Sequence, residues 1–342
     1  MNPAKNDIRR RALALIAEKG QGVATHLATE FGLSRQVANS YLQALLRDGL
    51  VEADGSTRAR TYHLKTLTES NQSFPREGLQ EDLVWRQMFA PALADLAANV
   101  RDIWHYAMTE MINNAIDHSG SSQIHVGFRR NALFADAWVA DDGEGIFLKI
   151  QRALGLFDPR EAILELAKGK LTTAPKQHSG EGIFFTSRMV DEFEIRSGNL
   201  HFSHNQRRLD LLAERSADTP GTSVQMRLAN DSPRTMKAVF DKFSEDEDYT
   251  FDKTEVPIRL AQHEGEKLVS RSQAKRVAHR FERFRHVVLD FEGVAEIGQA
   301  FADELFRVFA AEHPNVRLIP INTAPAVAQM VSRALKAAES PQ

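Results

Sequence analysis

Apolar positions three and four residues apart open the chain. Ile8, Ala12, Leu15 and Ile16 mark a first helical face that Gly20 ends, and 23–31 repeats the spacing with Leu27 and Phe31 turned inward. Gly32 and Leu33 make a short turn, and Ser34 is placed to cap a third helix over 35–48. There Val37, Ala38, Tyr41, Leu42 and Leu45 form the buried stripe, leaving Arg35, Gln36, Asn39, Ser40 and Gln43 outside. Asp54 and Gly55 then turn the chain toward a strand holding Arg58, Arg60 and Tyr62. Residues 67–80 are polar and read as a linker. Helical spacing returns at Val84, Met88 and Leu93, then in Trp104, Met108, Met111, Ile112, Ala115 and Ile116. Strands are predicted at 122–128, 133–139, 192–197, 208–212 and 221–228, with a helix from Ile183, giving an α/β sandwich of mixed sheet over 81–230. The acidic run 241–248 marks a second linker, 231–251. Beyond it, strands at 255–260, 267–269, 287–291 and 316–321 alternate with helices at 271–284 (capped by Ser270), 300–311 and 324–338. The expected class is multidomain α/β.

Three polar islands interrupt the apolar pattern of the central region. Glu110, Asn114 and Asp117 stand a helical turn apart, so they share one edge of their helix. A carboxylate and a carboxamide there can hold hydrated Mg2+, which takes oxygen ligands and keeps several waters; a solvated polar face is the plainer alternative. Asp141, Asp142, Gly143, Glu144 and Gly145 follow a strand, either as a simple tight turn or as a turn that brings backbone and a carboxylate up to a ligand. Gly180 and Gly182 precede the helix from Ile183, where exposed amides and the positive helix end attract phosphate.

In order and spacing, Glu-x-x-x-Asn, Asp-x-Gly-x-Gly and Gly-x-Gly resemble the three nucleotide boxes of the GHKL (histidine kinase-like) ATPase superfamily, over about 81–230. The resemblance implies a Bergerat-type ATP-binding domain. Asn114, with Glu110, would hold Mg2+; Asp141 would read the adenine amino group; Gly143 and Gly145 would shape its pocket. Gly180 and Gly182 would approach the phosphates, with Asp117, Ile146, Thr173 and Ser179 completing the nucleotide site. Glu110 stands where ATP-hydrolysing members keep the general base, and 147–177 would form the lid. The family often has a further glycine where His178 stands. No Gly-x-x-x-x-Gly-Lys-Ser/Thr occurs, which excludes a P-loop.

The flanks carry two further likenesses. Residues 1–66 resemble a winged helix-turn-helix, which implies double-stranded DNA as partner: Arg35, Gln36, Asn39, Ser40 and Gln43 would face base edges, and Arg58 and Arg60 would reach phosphates. A unit used for protein contacts is the alternative. Residues 252–342 resemble the STAS-like domain often fused to GHKL ATPases, through Val287 to Gly298. Where anti-sigma-factor antagonists carry a phosphorylated serine, this chain has Gly298, Gln299 and Ala300, without a hydroxyl. Asp303 and Glu304 read as a solvated helix start.

Composition narrows the field. With 342 residues there is room for two or three domains, and 42% hydrophobic with 26% charged residues is globular. A net charge of -3 leaves any nucleic-acid surface to local patches. The absence of cysteine excludes disulfides and thiol chemistry and fits a cytoplasmic protein. No signal peptide or membrane-spanning run is predicted. His201 and His204 are expected at the surface, without a third metal ligand. The reading is an ATP- and Mg2+-binding transcriptional regulator whose nucleotide occupancy controls DNA binding, with a homodimer expected by analogy to two-fold operators and a protein partner at the STAS-like unit. The alternatives are an anti-sigma-type serine/threonine kinase or slow ATPase, and a non-enzymatic scaffold. His105 lies in the wrong context for a sensor kinase phosphoacceptor.

Overall fold

The computed structural model describes residues 3–56, 60–171, 180–206, 208–244, 250–262 and 266–339. Its first unit packs α1 (Pro3–Lys19), α2 (Val23–Phe31) and α3 (Arg35–Arg47) against a hairpin of β1 (Val51–Asp54) and β2 (Thr61–Leu64). Ala12, Leu15, Leu27, Ala38, Leu42 and Leu45 fill its own small core. The Ser34 hydroxyl accepts the Val37 amide at 3.2 Å, so the predicted cap is in place. Two expected core residues are exposed, Phe31 at 36% and Val37 at 42%, and Tyr41 is only half-buried. Phe31 is the last residue of α2, and Val37 lies 100° around α3 from the Ala38, Leu42 and Leu45 stripe.

The expected linker 67–80 instead carries a strand, β3 (Thr68–Pro75). It pairs along its whole length with β4 (Gln123–Arg130), from Thr68 opposite Arg130 to Pro75 opposite Gln123. As an edge strand it is held by backbone pairing with little buried side chain, so no apolar alternation betrays it. After it come α4 (Glu81–Val84), a π-helical turn at Trp85–Phe89, α5 (Ala90–Ala92) and the long α6 (Ala98–His118). Then follow β4, β5 (Phe134–Asp141), α7 (Ile146–Leu154), α8 (Glu161–Lys168) and α9 (Gly182–Met189). The unit closes with β6 (Glu192–Asn205), β7 (Arg208–Ala229) and α10 (Met236–Phe243). The strand order is β3-β4-β5-β7-β6, and every neighbouring pair is antiparallel, not mixed as expected. Residues 208–212 and 221–228, predicted as two strands, run together in β7.

The expected second linker is partly α10, whose Val239 and Phe243 are buried. The C-terminal unit has three parallel strands, β8 (Lys253–Pro257), β9 (His286–Asp290) and β10 (Arg317–Ile321), in the order β10-β9-β8. Among them lie α11 (Arg271–Ala278), α12 (Gln299–Asp303) with a π-helical turn at Glu304–Phe309, α13 (Ala310–Glu312) and α14 (Pro325–Glu339). Helix α11 starts in a full Ser270–Gln273 capping box and ends short of the expected 284, where His279 turns to an extended ψ of 126° and Arg280 follows with a left-handed φ of 67°. The expected strand at 267–269 is reduced to a bridge between Leu268 and Ile297. Glu304, expected in solvent, is 7% exposed. The central and C-terminal units share one hydrophobic core, joined where Phe184 meets Phe251 at 4.7 Å and Phe251 meets Phe284 at 5.5 Å. Among the described residues no helix is long and apolar enough to cross a membrane.

Candidate ligand-binding site

The three polar islands meet around one cavity of about 280 Å³. Helix α6 contributes Glu110 and Asn114 on consecutive turns, because its apolar residues Trp104, Met108, Met111 and Ala115 are buried in the core and turn this edge toward the opening. Asp141 enters from the end of β5, Gly145 and Ile146 from the start of α7, and Gly180 and Gly182 from the start of α9.

Asp141 is 9% exposed, and its Oδ1 accepts the Gly143 amide at 2.9 Å. Burial pushes its carboxyl above the ordinary value, against the pull of backbone bonds from Gly143 and Thr222 and of the Lys149 charge. The result is a buried acceptor at a strand end, suited to a ligand's N–H group. Gly145 takes φ 92°, and a Cβ there would stand 2.5 Å from the Ser197 hydroxyl oxygen, so only glycine fits the turn as it stands. A Cβ on Gly182 would stand 1.9 Å from the Glu110 carboxylate. The α9 backbone therefore lies directly on that acid, with amides of its first turn lacking helical partners.

Other expected residues fall elsewhere. Asp117 is exposed and does not line the cavity, since shared helical phase does not decide how far neighbouring elements cover an edge. Gly143 also stays off the wall; a Cβ there would stand 1.9 Å from the Ser119 carbonyl oxygen, so it lets the turn pass the end of α6. Thr173 and Ser179 lie outside the described residues, as does Arg58. His201 and His204, expected at the surface, are 20% and 13% exposed; His204 Nδ1 lies 2.5 Å from the Asp210 carboxylate. Among the described residues no group of three or more His, Asp or Glu could hold a metal ion.

Sequence reasoning missed Thr222 and Lys149. Thr222 stands opposite Asp141 in the β5–β7 register, and its hydroxyl accepts the Ile146 amide at 2.9 Å, fixing the start of α7. Lys149 donates to the His118 carbonyl at 2.7 Å and also lines the cavity. Strand pairing, invisible in a single chain, brings Thr222 to the site; Lys149, one turn into α7, had a local signal.

On the N-terminal unit Arg35, Gln36, Asn39, Ser40 and Gln43 are exposed on α3. The Ser40 hydroxyl donates to the Val37 carbonyl at 2.7 Å, and Arg35 donates to the Thr25 hydroxyl at 3.1 Å. Arg60 is half-buried, its guanidinium 5.3 Å from the Tyr62 ring centre.

Residues 273–328 match the family model of a STAS-like domain of unknown function (DUF4325), which spans α11 to the start of α14. The chain thus carries a C-terminal STAS-like domain. No curated protein matches it.

Proposed function

We propose that the chain is an ATP-binding regulator of DNA, with a GHKL-type nucleotide domain between a winged helix and the STAS-like domain. The observation that carries this reading is the convergence of Glu110, Asn114, Asp141, Gly180 and Gly182 on one cavity from three separate stretches. Asp141 accepts from the adenine amino group, and Gly180 and Gly182 let backbone amides come close to the phosphates. Asn114 and Glu110 offer the oxygen donors a hydrated Mg2+ takes, and the absence of a Cβ at Gly182 lets the start of α9 come close to the acid. A bound Mg2+ would neutralise phosphate charge. The exposed amides and guanidinium of α3 suit base edges in a major groove.

A slow ATPase or kinase is the second reading, supported by Glu110, an acid on the cavity wall beside the glycine turn, where it could polarise an attacking water or hydroxyl. Phosphorylation of the STAS-like loop in cis is not part of either reading. Gly298 occupies that place, and a Cβ there would already stand 2.7 Å from the Val269 Cα.

The test is incubation with γ-labelled Mg-ATP, with Glu110→Ala and Asp141→Asn as controls, followed by DNA binding at fixed salt with and without nucleotide. Free labelled phosphate that disappears in Glu110→Ala marks a hydrolysing switch. Binding without turnover, lost in Asp141→Asn, marks a nucleotide sensor. DNA affinity indifferent to nucleotide would refute the coupling, because a ligand shifts a state only by its differential affinity.

A further inference from the structure

One part of the cavity wall is held in place from outside the central unit. Leu171 lines it, and the Leu171 amide donates to the Gly180 carbonyl at 3.0 Å. The Leu171 backbone also lies where a Cβ on Gly180 would fall, 2.4 Å away. The three residues before Leu171 leave α8 with carbonyls that side chains of the C-terminal domain take up. Thr254 Oγ1 donates to the Lys168 carbonyl at 2.7 Å. Arg280 Nη2 donates to the Gly169 carbonyl at 2.9 Å and also to that of Lys170. Its Nη1 donates to Glu165 Oε2 at 2.9 Å, so one guanidinium ties the last turn of α8 to the segment after it. Lys168 answers in the other direction, donating to the His279 carbonyl at 2.8 Å and to Glu165 at 2.6 Å.

Arg280, Lys168 and Glu165 are all at most 3% exposed. Apolar side chains of similar volume would join two units at least as well, since desolvating charges offsets most of their attraction. What a planar fork of donors supplies instead is direction. Arg280 holds two successive carbonyls and does so from a left-handed backbone that a non-glycine residue seldom adopts. The placement of Leu171, and through it of Gly180, therefore depends on the C-terminal domain.

Resting on the nucleotide reading above, we propose that Arg280 is a positioning residue of the nucleotide site, supplied by the STAS-like domain, which sets the phosphate end of the cavity through Gly169, Lys170 and Leu171. The base end, built by Asp141 and Thr222 on paired strands, stands apart from this contact. Nucleotide occupancy and the state of the STAS-like domain are then linked, each altering the other by the same factor.

The experiment compares Mg-ATP with adenosine, by calorimetric titration of the full chain and of Arg280→Met. Arg280→Met is expected to weaken Mg-ATP on the order of 10-fold, a typical coupling, and to leave adenosine affinity unchanged. Arg280→Lys keeps the charge but not the fork and is expected to behave as Arg280→Met does. Thr254→Val removes only the Lys168 bond, so it tests the same contact if Arg280→Met does not fold, and a smaller selective loss for Mg-ATP is expected. Equal Mg-ATP affinity in folded variants overturns the proposal, as does a parallel loss for both ligands, which a general loosening would produce. If the unaltered chain binds neither ligand, the nucleotide reading itself fails, and the two failures are thereby told apart.

Discussion

Replacing Glu165 by glutamine keeps the shape of the side chain and removes the carboxylate that Lys168, Arg280 and His279 share. Oε1 accepts from Lys168 at 2.6 Å and faces His279 Nδ1 at 3.2 Å, while Oε2 accepts from Arg280 at 2.9 Å. Glutamine turns one of these oxygens into a donor that meets another donor, and takes from two buried cations the carboxylate they both bond. Burial alone would raise the Glu165 carboxyl, but the Lys168 charge and the hydrogen bonds from His279, Lys168 and Arg280 outweigh it and hold it at about 2, against an ordinary 4.5. That difference corresponds to roughly 3 kcal/mol, and removing one partner of a buried ion pair costs about 3–5 kcal/mol. The two routes agree on about 3 kcal/mol of lost stability at neutral pH. Urea unfolding read by tryptophan fluorescence suits the test, since Trp104 is fully buried in the same core. The midpoint should fall by about 1 M or more, given slopes of about 1–3 kcal/mol per molar urea. The folded value is depressed, so the contribution is complete above about 4.5 and is lost as pH falls through about 2. The gap between the two proteins should therefore close on acidification. Coincident midpoints at neutral pH, or a gap undiminished near pH 2, would refute the reasoning.

Further outcomes follow from the same geometry. Asp141→Asn should abolish nucleotide binding without lowering the melting temperature. The folded carboxyl is raised, so its contribution is complete below the ordinary 3.8 and lost as pH rises through the folded value, which makes the ionised form a burden at neutral pH. By the same sign, nucleotide affinity should drop on acidification as Asp141 becomes protonated; calorimetry that found it unchanged down to the ordinary carboxylate value of 3.8 would count against the assigned role. Gly145→Ala meets both a positive φ and the Ser197 hydroxyl, and should destabilise by about 1–3 kcal/mol in thermal unfolding. Gln36→Ala and Asn39→Ala lie on an exposed helix face and should leave folding intact. Each should weaken a selected duplex by about 1–3 kcal/mol in anisotropy titrations at fixed salt, and unchanged binding would speak for a protein-contact role instead.

Much of this was written locally. Ser34 and Ser270 cap the helices they were expected to start, and the stripes of α3 and α6 bury Ala38, Leu42, Trp104 and Met111. The order of the polar islands was legible because each is a short run whose helix edge, turn or glycine pair depends on a few neighbouring residues. What lay beyond that range was decided by tertiary pairing. Edge strand β3 has no apolar face to announce it, and only its ladder with β4 makes it a strand. Thr222 reaches Asp141 through the β5–β7 register, and Arg280 reaches Gly169 and Lys170 only because α11 stops short and the chain turns back across α8. The chain by itself determined its helices, caps, turns and the residue types of its site, since those follow from nearest-neighbour sterics and hydrogen bonds. Tertiary structure alone decided which of those residues share a wall, because burial and register are set by segments far apart along the chain.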